Sequence, residues 1–95
     1  PLKELWRDVP PELREIGPYL EPIKAWLDAR AKTGDYVLVQ GDFGACFILV
    51  EFCMKRGLVP VYSTTSREAE EVRRSDGAVE VKHVFRHRRF RRYGV

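Results

Sequence analysis

Sulfur is scarce in this chain and poorly placed for chemistry. Its two cysteines, Cys46 and Cys53, lie seven apart on one predicted helix, so they cannot bridge one another and they form no Cys-x-x-Cys redox or zinc pattern. Reduced core thiols are the expected state. Long apolar runs are missing as well. The run from Phe43 to Val50 is far short of the ~20 residues needed to cross a bilayer, and no charged-then-apolar signal segment opens the chain. A cytoplasmic protein without a membrane partner is the expectation. Nor does the chain open on methionine: Pro1 cannot be an initiator, so either processing or a preceding segment is implied.

Acidic residues are absent from the C-terminal stretch. Lys82, Arg86, Arg88, Arg89, Arg91 and Arg92 place six cations there, leaving eleven basic against fourteen acidic residues, a net of −3, in the remainder. The overall charge of +3 therefore hides an asymmetry that points to a polyanionic partner. At 95 residues, 44% hydrophobic and 33% charged, residues 1–95 form one small domain with a thin core that a partner subunit could supplement.

The organising stretch is Asp35 to Gly57. Tyr36 to Val39 is a run of β-formers that stops at Gln40-Gly41-Asp42-Phe43-Gly44. From Ala45 the apolar positions Ile48, Leu49, Phe52 and Cys53 recur at helical spacing, and Lys55-Arg56-Gly57 closes the run as a helix end should. Strand, tight turn and helix follow in order. Such a turn presents helix N-terminal amides at the carboxyl edge of a sheet, where anions bind in open α/β folds.

Ahead of this unit, Leu2, Leu5 and Trp6 share a helix face, and Pro10-Pro11-Glu12 reads as a break and a new helical start. Leu20, Ile23, Trp26 and Leu27 form a stripe on a helix ending near Lys32. Beyond it, Leu58 to Ser63 is a second strand, with Pro60 marking an edge or a start, joined to the first by a right-handed parallel crossover. Thr64-Thr65-Ser66 followed by Glu68, Glu70 and Glu71 predicts a short capped helix, stopped at Ser75-Asp76-Gly77. From Val79, alternation places Val81, His83 and Phe85 on one face of a third strand, expected antiparallel, with His83 as a core histidine. The fold class is α/β.

Chemistry concentrates in three places. The Gln40 to Ala45 turn is neither a phosphate loop nor a complete dinucleotide fingerprint, and its Asp-Phe-Gly stands without any other kinase motif. Asp42 is either a helix cap or, with Gln40, a ribose or base contact, while amides near Gly44 and Ala45 would meet phosphate. Ser63, Thr64, Thr65 and Ser66 supply more hydroxyls than a cap requires and would share a crevice with that turn if the strands are adjacent. His83 and His87 on a strand stand ~13 Å apart, which argues against a shared metal. His87 among arginines can act as general acid or base near a phosphodiester. Arg86 to Tyr93 interleaves cations with rings, the composition of a surface that neutralises phosphates and stacks bases.

Three stretches resemble a known family. They are Gly34 to Ala45 (Gly-Asp-Tyr-Val-Leu-Val-Gln-Gly-Asp-Phe-Gly-Ala), Gly57 to Thr65 (Gly-Leu-Val-Pro-Val-Tyr-Ser-Thr-Thr) with Arg67, and His83-Val84-Phe85 with Phe90-Arg91. They are similar to small CRISPR-associated accessory proteins of type III systems, the Csx group counted among the ring nucleases. The resemblance covers most of the chain from Trp6 onward. It implies a small Rossmann-like three-layer domain, parallel strands with a C-terminal antiparallel strand, from which an N-terminal strand and helix are missing. It also implies a homodimer that binds or degrades a cyclic oligoadenylate, with no cofactor and no metal.

A symmetric ring of phosphates would meet two copies of one site across a two-fold axis. Holding a ribose 2′-hydroxyl in line with its phosphate while a cation neutralises charge suffices for cleavage. The binding residues expected on this reading are Gln40, Gly41, Asp42, Phe43, Gly44, Thr64, Thr65 and Ser66. His87 and Arg86 are the catalytic expectations, drawn from chemistry alone. Two alternatives are a binder that sequesters the same messenger uncut, and a linear nucleic-acid module built on the basic C-terminal strand.

Overall fold

Two glycines set the corners of the central unit, and the first, Gly57, shows how tightly they are held. It follows the last turn of a helix at φ +73°, and a Cβ there would lie 2.9 Å from Thr33 Cγ2. The chain thereby reverses from helix into strand where no larger residue fits. The structure is a computed structural model that describes all residues from Pro1 to Val95. In order, it holds α1 (Leu2–Arg7), a single 3-10 turn (Pro18–Leu20), α2 (Glu21–Arg30), β1 (Tyr36–Leu38), α3 (Phe43–Lys55), β2 (Val59–Arg73) and β3 (Val79–Arg92).

The fold is mixed α/β around one three-stranded sheet in the order β1-β2-β3. β1 and β2 run parallel, with Tyr36, Val37 and Leu38 opposite Val59, Pro60 and Val61. β3 returns antiparallel along β2 from Val61↔Arg92 to Arg73↔Val79, with a bulge between Thr64 and Thr65. The parallel crossover through α3, the antiparallel last strand and the two free, buried thiols agree with the expectations from sequence. Pro60 sits at the strand start.

Burial comes from helices pressed together on one side. Leu20, Ile23 and Leu27 of the α2 segment meet Ala45, Cys46, Leu49 and Cys53 of α3, with Val39 and Leu58 completing the cluster. Leu2, Leu5 and Trp6 of α1 pack against it, as does Val37, whereas Tyr36 and Leu38 project from the other face of β1 and are exposed. The Tyr19 hydroxyl donates to Leu5 O at 2.5 Å and holds α1 to the 3-10 turn. No helix is long and apolar enough to cross a membrane.

Three expectations are overturned. No helix forms after Pro10; residues 10–16 are irregular, with a turn at Pro11-Glu12 and a bend at Arg14. No helix forms after Thr64 either, because β2 continues unbroken to Arg73. The glutamates that resemble a helical first turn instead face β3, where Glu68 and Glu70 pair with Arg86. Ser75-Asp76-Gly77 turns a hairpin, with Asp76 Oδ1 accepting from Ala78 N at 2.9 Å. His83 is not a core residue: it is exposed on a ribbon whose distal half has nothing packed on it.

That ribbon dominates the shape. The molecule extends 54 × 32 × 21 Å with a radius of gyration of 17.7 Å. A compact chain of this length has a radius of about 12–13 Å.

Candidate functional site

The site is built where β1 ends. The parallel ladder gives its last backbone bond from Val39 N to Val61 O at 2.9 Å. The next donor on β2, the N–H of Ser63, is taken by the side chain of Gln40 through Oε1. A single amide side chain thus extends the sheet by one bond and fastens the turn after Val39 to the strand beside it. The backbone of Gln40 is fixed in turn, because Trp6 Nε1 donates to its carbonyl at 2.6 Å. Gly41 lies flat against the same indole: a Cβ there would fall 2.9 Å from Trp6 Nε1, and its φ of +152° is one that side chains resist.

Asp42 is a helix cap. Its Oδ1 accepts from Ala45 N at 3.0 Å, and its carbonyl accepts from Cys46 N at 2.8 Å. The Ala45 amide expected to meet phosphate is therefore already satisfied, and a carboxylate stands at the α3 N-terminus where an anion would have to come. Gly44 sits in the first turn of α3, its α-carbon side against Ile16. Phe43 projects into solvent, 95% exposed, and Phe47, one turn on, is 70% exposed.

A cleft of about 590 Å³ opens between this turn and the sheet, lined by Gln40, Gly41, Phe43, Cys46, Phe47 and Val50 on one side and Tyr62, Ser63, Tyr93 and Gly94 on the other. The back wall is tied to the end of β1. Tyr93 donates its hydroxyl to Val39 O at 2.6 Å, and its ring lies 4.8 Å from that of Tyr62. Burial raises the Tyr93 phenol above its ordinary pKa, and the neighbouring Cys46 and Tyr62 add to the effect. Cys46 is raised as well, by burial first and then by the Asp42 charge.

His87 lies on β3 opposite Thr65, on the sheet face that carries the Ser63 side chain, and is not among the residues lining the cleft. Its Nδ1 is hydrogen-bonded to the Ser63 hydroxyl, so Nε2 is the ring nitrogen left for other chemistry. The imidazole also stands 4.5 Å from the Phe90 ring. Arg86, one residue away, belongs to the opposite face, where Glu68 Oε2 lies 2.6 Å from its Nε and Glu70 engages its Nη2. Those two carboxylates hold its guanidinium in the charged form. The two catalytic expectations are thus separated, with His87 bonded to Ser63 and Arg86 neutralised on the ribbon.

The hydroxyl run divides in the same way. All four lie within β2, but only Ser63 lines the cleft; Thr64, Thr65 and Ser66 stand farther along the strand, opposite Arg89, His87 and Arg86. No loop exists there to carry them. The residues that sequence reasoning left out of the site are Ser63, Tyr62, Tyr93 and Phe47. In the sequence Ser63 is one of four consecutive hydroxyls, and strand alternation is the signal that separates it from Thr64 and Ser66. Arg91 and Arg89 pair with Tyr62 and Thr64 and share their face, placing cations beside the cleft. Arg88, Arg89, Arg91 and Arg92 are all exposed, and Arg86 is the one β3 arginine held in an ion pair.

Comparison with known proteins gives a family without a described activity. No solved structure matches the chain. A protein of Methanocaldococcus jannaschii described as "Uncharacterized protein MJ1673" is 47% identical over 92 residues, which cover 97% of this chain and 70% of the relative. The family model described as "Uncharacterized protein MJ1673 family" matches residues 1–91, and the chain belongs to that family.

Proposed function

We propose that the cleft between the Gln40 turn and Tyr62-Ser63 binds a cyclic oligoadenylate, with tetra-adenylate the ring to test, and that His87 promotes its cleavage. The observation that carries this reading is the pair of bonds converging on Ser63: Gln40 holds its amide and His87 its hydroxyl. Ser63 thereby links the edge of the aromatic-lined cleft to a histidine with a free nitrogen, which stands with the Ser63 side chain on the sheet face away from Arg89 and Arg91. Phe43 and Phe47 offer faces on which adenines stack, and Arg89 and Arg91 offer charge for phosphates.

In the proposed step, His87 Nε2 accepts the proton of a ribose 2′-hydroxyl as its oxygen bonds to the adjacent phosphorus. The bond from phosphorus to the 5′-oxygen breaks, and that oxygen takes up a proton. The products are a 2′,3′-cyclic phosphate and a 5′-hydroxyl, with no metal or cofactor in the scheme. The resemblance to Csx ring nucleases supports the choice of ligand. It also supports a Rossmann-like three-layer reading, in which a further strand and helix would cover the exposed Tyr36 and Leu38 beside the open edge of β1.

Incubating the protein with labelled cyclic tetra-adenylate, with and without chelator, tests the reading. Linear product ending in a cyclic phosphate supports cleavage, and retention of intact ring reduces the function to sequestration. No interaction at all removes the proposal. A linear nucleic-acid surface would then be the better reading, favoured by the four unpaired arginines around Phe90.

A further inference from the structure

The distal ribbon exposes an apolar row that a protein of this size does not leave bare. The molecule presents 7472 Å² to solvent, roughly 1,800 Å² more than the ~5,700 Å² of a compact chain of 11.1 kDa. A standard interface buries ~800 Å² on each partner, so the surplus is ample for one. A two-stranded ribbon in water is also marginally stable by itself. Here it runs from the Ser66–Arg86 pair to the Arg73–Val79 pair, and no residue along that length is buried.

The pattern on the face opposite the helices identifies what covers it. On β2 that face presents Arg67, Ala69 and Glu71, and on β3 their partners are Phe85, His83 and Val81. Phe85 is 67% exposed and Val81 55%. Charges of opposite sign stand symmetrically about Ala69, and apolar side chains stand symmetrically about His83. Neither Arg67 nor Glu71 has an ion-pair partner within the chain, unlike Arg74 and Arg86 nearby.

We infer that this face is an isologous interface with a second copy of the chain. The two-fold axis lies in the interface, across the strands, over the Ala69–His83 pair. That operation sets Arg67 over Glu71 of the second copy, and Glu71 over its Arg67. It also sets Phe85 over Val81 of the second copy, with the small Ala69 meeting its own image. Sheets packed face to face lie ~10 Å apart, a gap that arginine and glutamate span and that Phe85 and Val81 fill. A partner of another sequence would have no need of a pattern that is its own complement.

The inference rests on the surface and not on the ligand proposed above: His87 lies one pair beyond Phe85 on the same face, but no step of the argument uses it, so a failure of ring binding leaves the interface standing. The test is the mass of the full chain in solution by light scattering at tens of micromolar. The expected mass is twice that of one chain. Arg67→Glu and Glu71→Arg should each raise the dimer dissociation constant about tenfold or more, by setting like charges face to face. The double variant R67E/E71R should restore it. Phe85→Asp should give a monomer with helical circular dichroism unchanged. Should Phe85→Asp fail to fold, the charge reversals at exposed positions still decide the matter. A monomer of the unmodified chain overturns the interface. So does a dimer indifferent to the single reversals, or a double variant no better than either single.

Discussion

The hydroxyl of Tyr93 donates to the carbonyl of Val39 at 2.6 Å, tying the first residue after β3 to the end of β1 across the strand between them. Three segments far apart in sequence are closed into one corner by this bond and by the Gln40–Ser63 bond beside it. The cleft depends on that closure, because one side comes from residues 40–50 and the other from Tyr62, Ser63 and the residues that follow β3.

Tyr93→Phe keeps the ring against Tyr62 and removes the donor. Val39 O then loses its side-chain partner, and unfolding free energy should fall by about 1 kcal/mol in urea titration. The same residue makes a prediction for alkaline pH. The folded state holds the protons of Cys46, Cys53 and Tyr93 more tightly than the unfolded chain does, with burial the leading cause in each case. Their contribution is fully present below the ordinary values, 9.0 for the thiols and 10.0 for the phenol. It is lost as pH climbs through the raised folded values. Stability measured from pH 8 upward should decline accordingly, and less steeply in Tyr93→Phe.

Asp42 separates a structural role from a binding one. Asp42→Ala should destabilise by about 1 kcal/mol through loss of the α3 cap, while Asp42→Asn, which caps equally well, should cost little. Because the carboxylate stands where a phosphate would approach, Asp42→Asn should bind the proposed ring at least as tightly as the unmodified chain. Weaker binding by the asparagine variant in a filter or fluorescence assay would mean that the charge itself contacts the ligand.

The chemistry assigned to His87 is testable against its neighbour. His87→Gln should reduce ring cleavage by ~10²-fold or more, with urea stability near that of the unmodified chain. Ser63→Ala frees Nδ1 and should lower cleavage less, with a changed pH profile, since it orients the imidazole without reacting. Arg86→Gln should leave cleavage close to unchanged. Its pairs with Glu68 and Glu70 are exposed, so its effect on stability should stay within about 1 kcal/mol.

The central unit was legible from residues because local signals and the tertiary fold agree there. The β-run at Tyr36, the aspartate cap and the basic helix end at Lys55 each specify the element that forms. Thr64 to Glu71 failed because they conflict. Hydroxyls followed by glutamates read as a helix start, yet the same residues form the partner of a basic strand that begins at Val79. The acids missing from the C-terminal stretch were sitting opposite it. Comparing the charge of the two segments on either side of Asp76-Gly77 carries that signal, whereas a window along one segment does not. His83 misled for a related reason: alternation identified its face correctly but gave no indication of what, within one chain, would cover it.

Salt dependence separates the ring site from the alternative use of β3. A linear single-stranded RNA contacting Arg88, Arg89, Arg91 and Arg92 would lose affinity with a slope of about −3 in log K against log salt, at ~0.7 for each phosphate neutralised. Replacing Arg88 and Arg92 by alanine would halve that slope. Arg92 is opposite Val61, on the other face from the Tyr62–Arg91 and Thr64–Arg89 pairs, and Arg88 is the unpaired bulge residue outside both pairs. Ring binding in the cleft should therefore survive that double replacement and fall with Arg89→Ala and Arg91→Ala. If both ligands weaken together in every variant, cleft and ribbon form one continuous anion surface, and the ring loses its claim to a separate site.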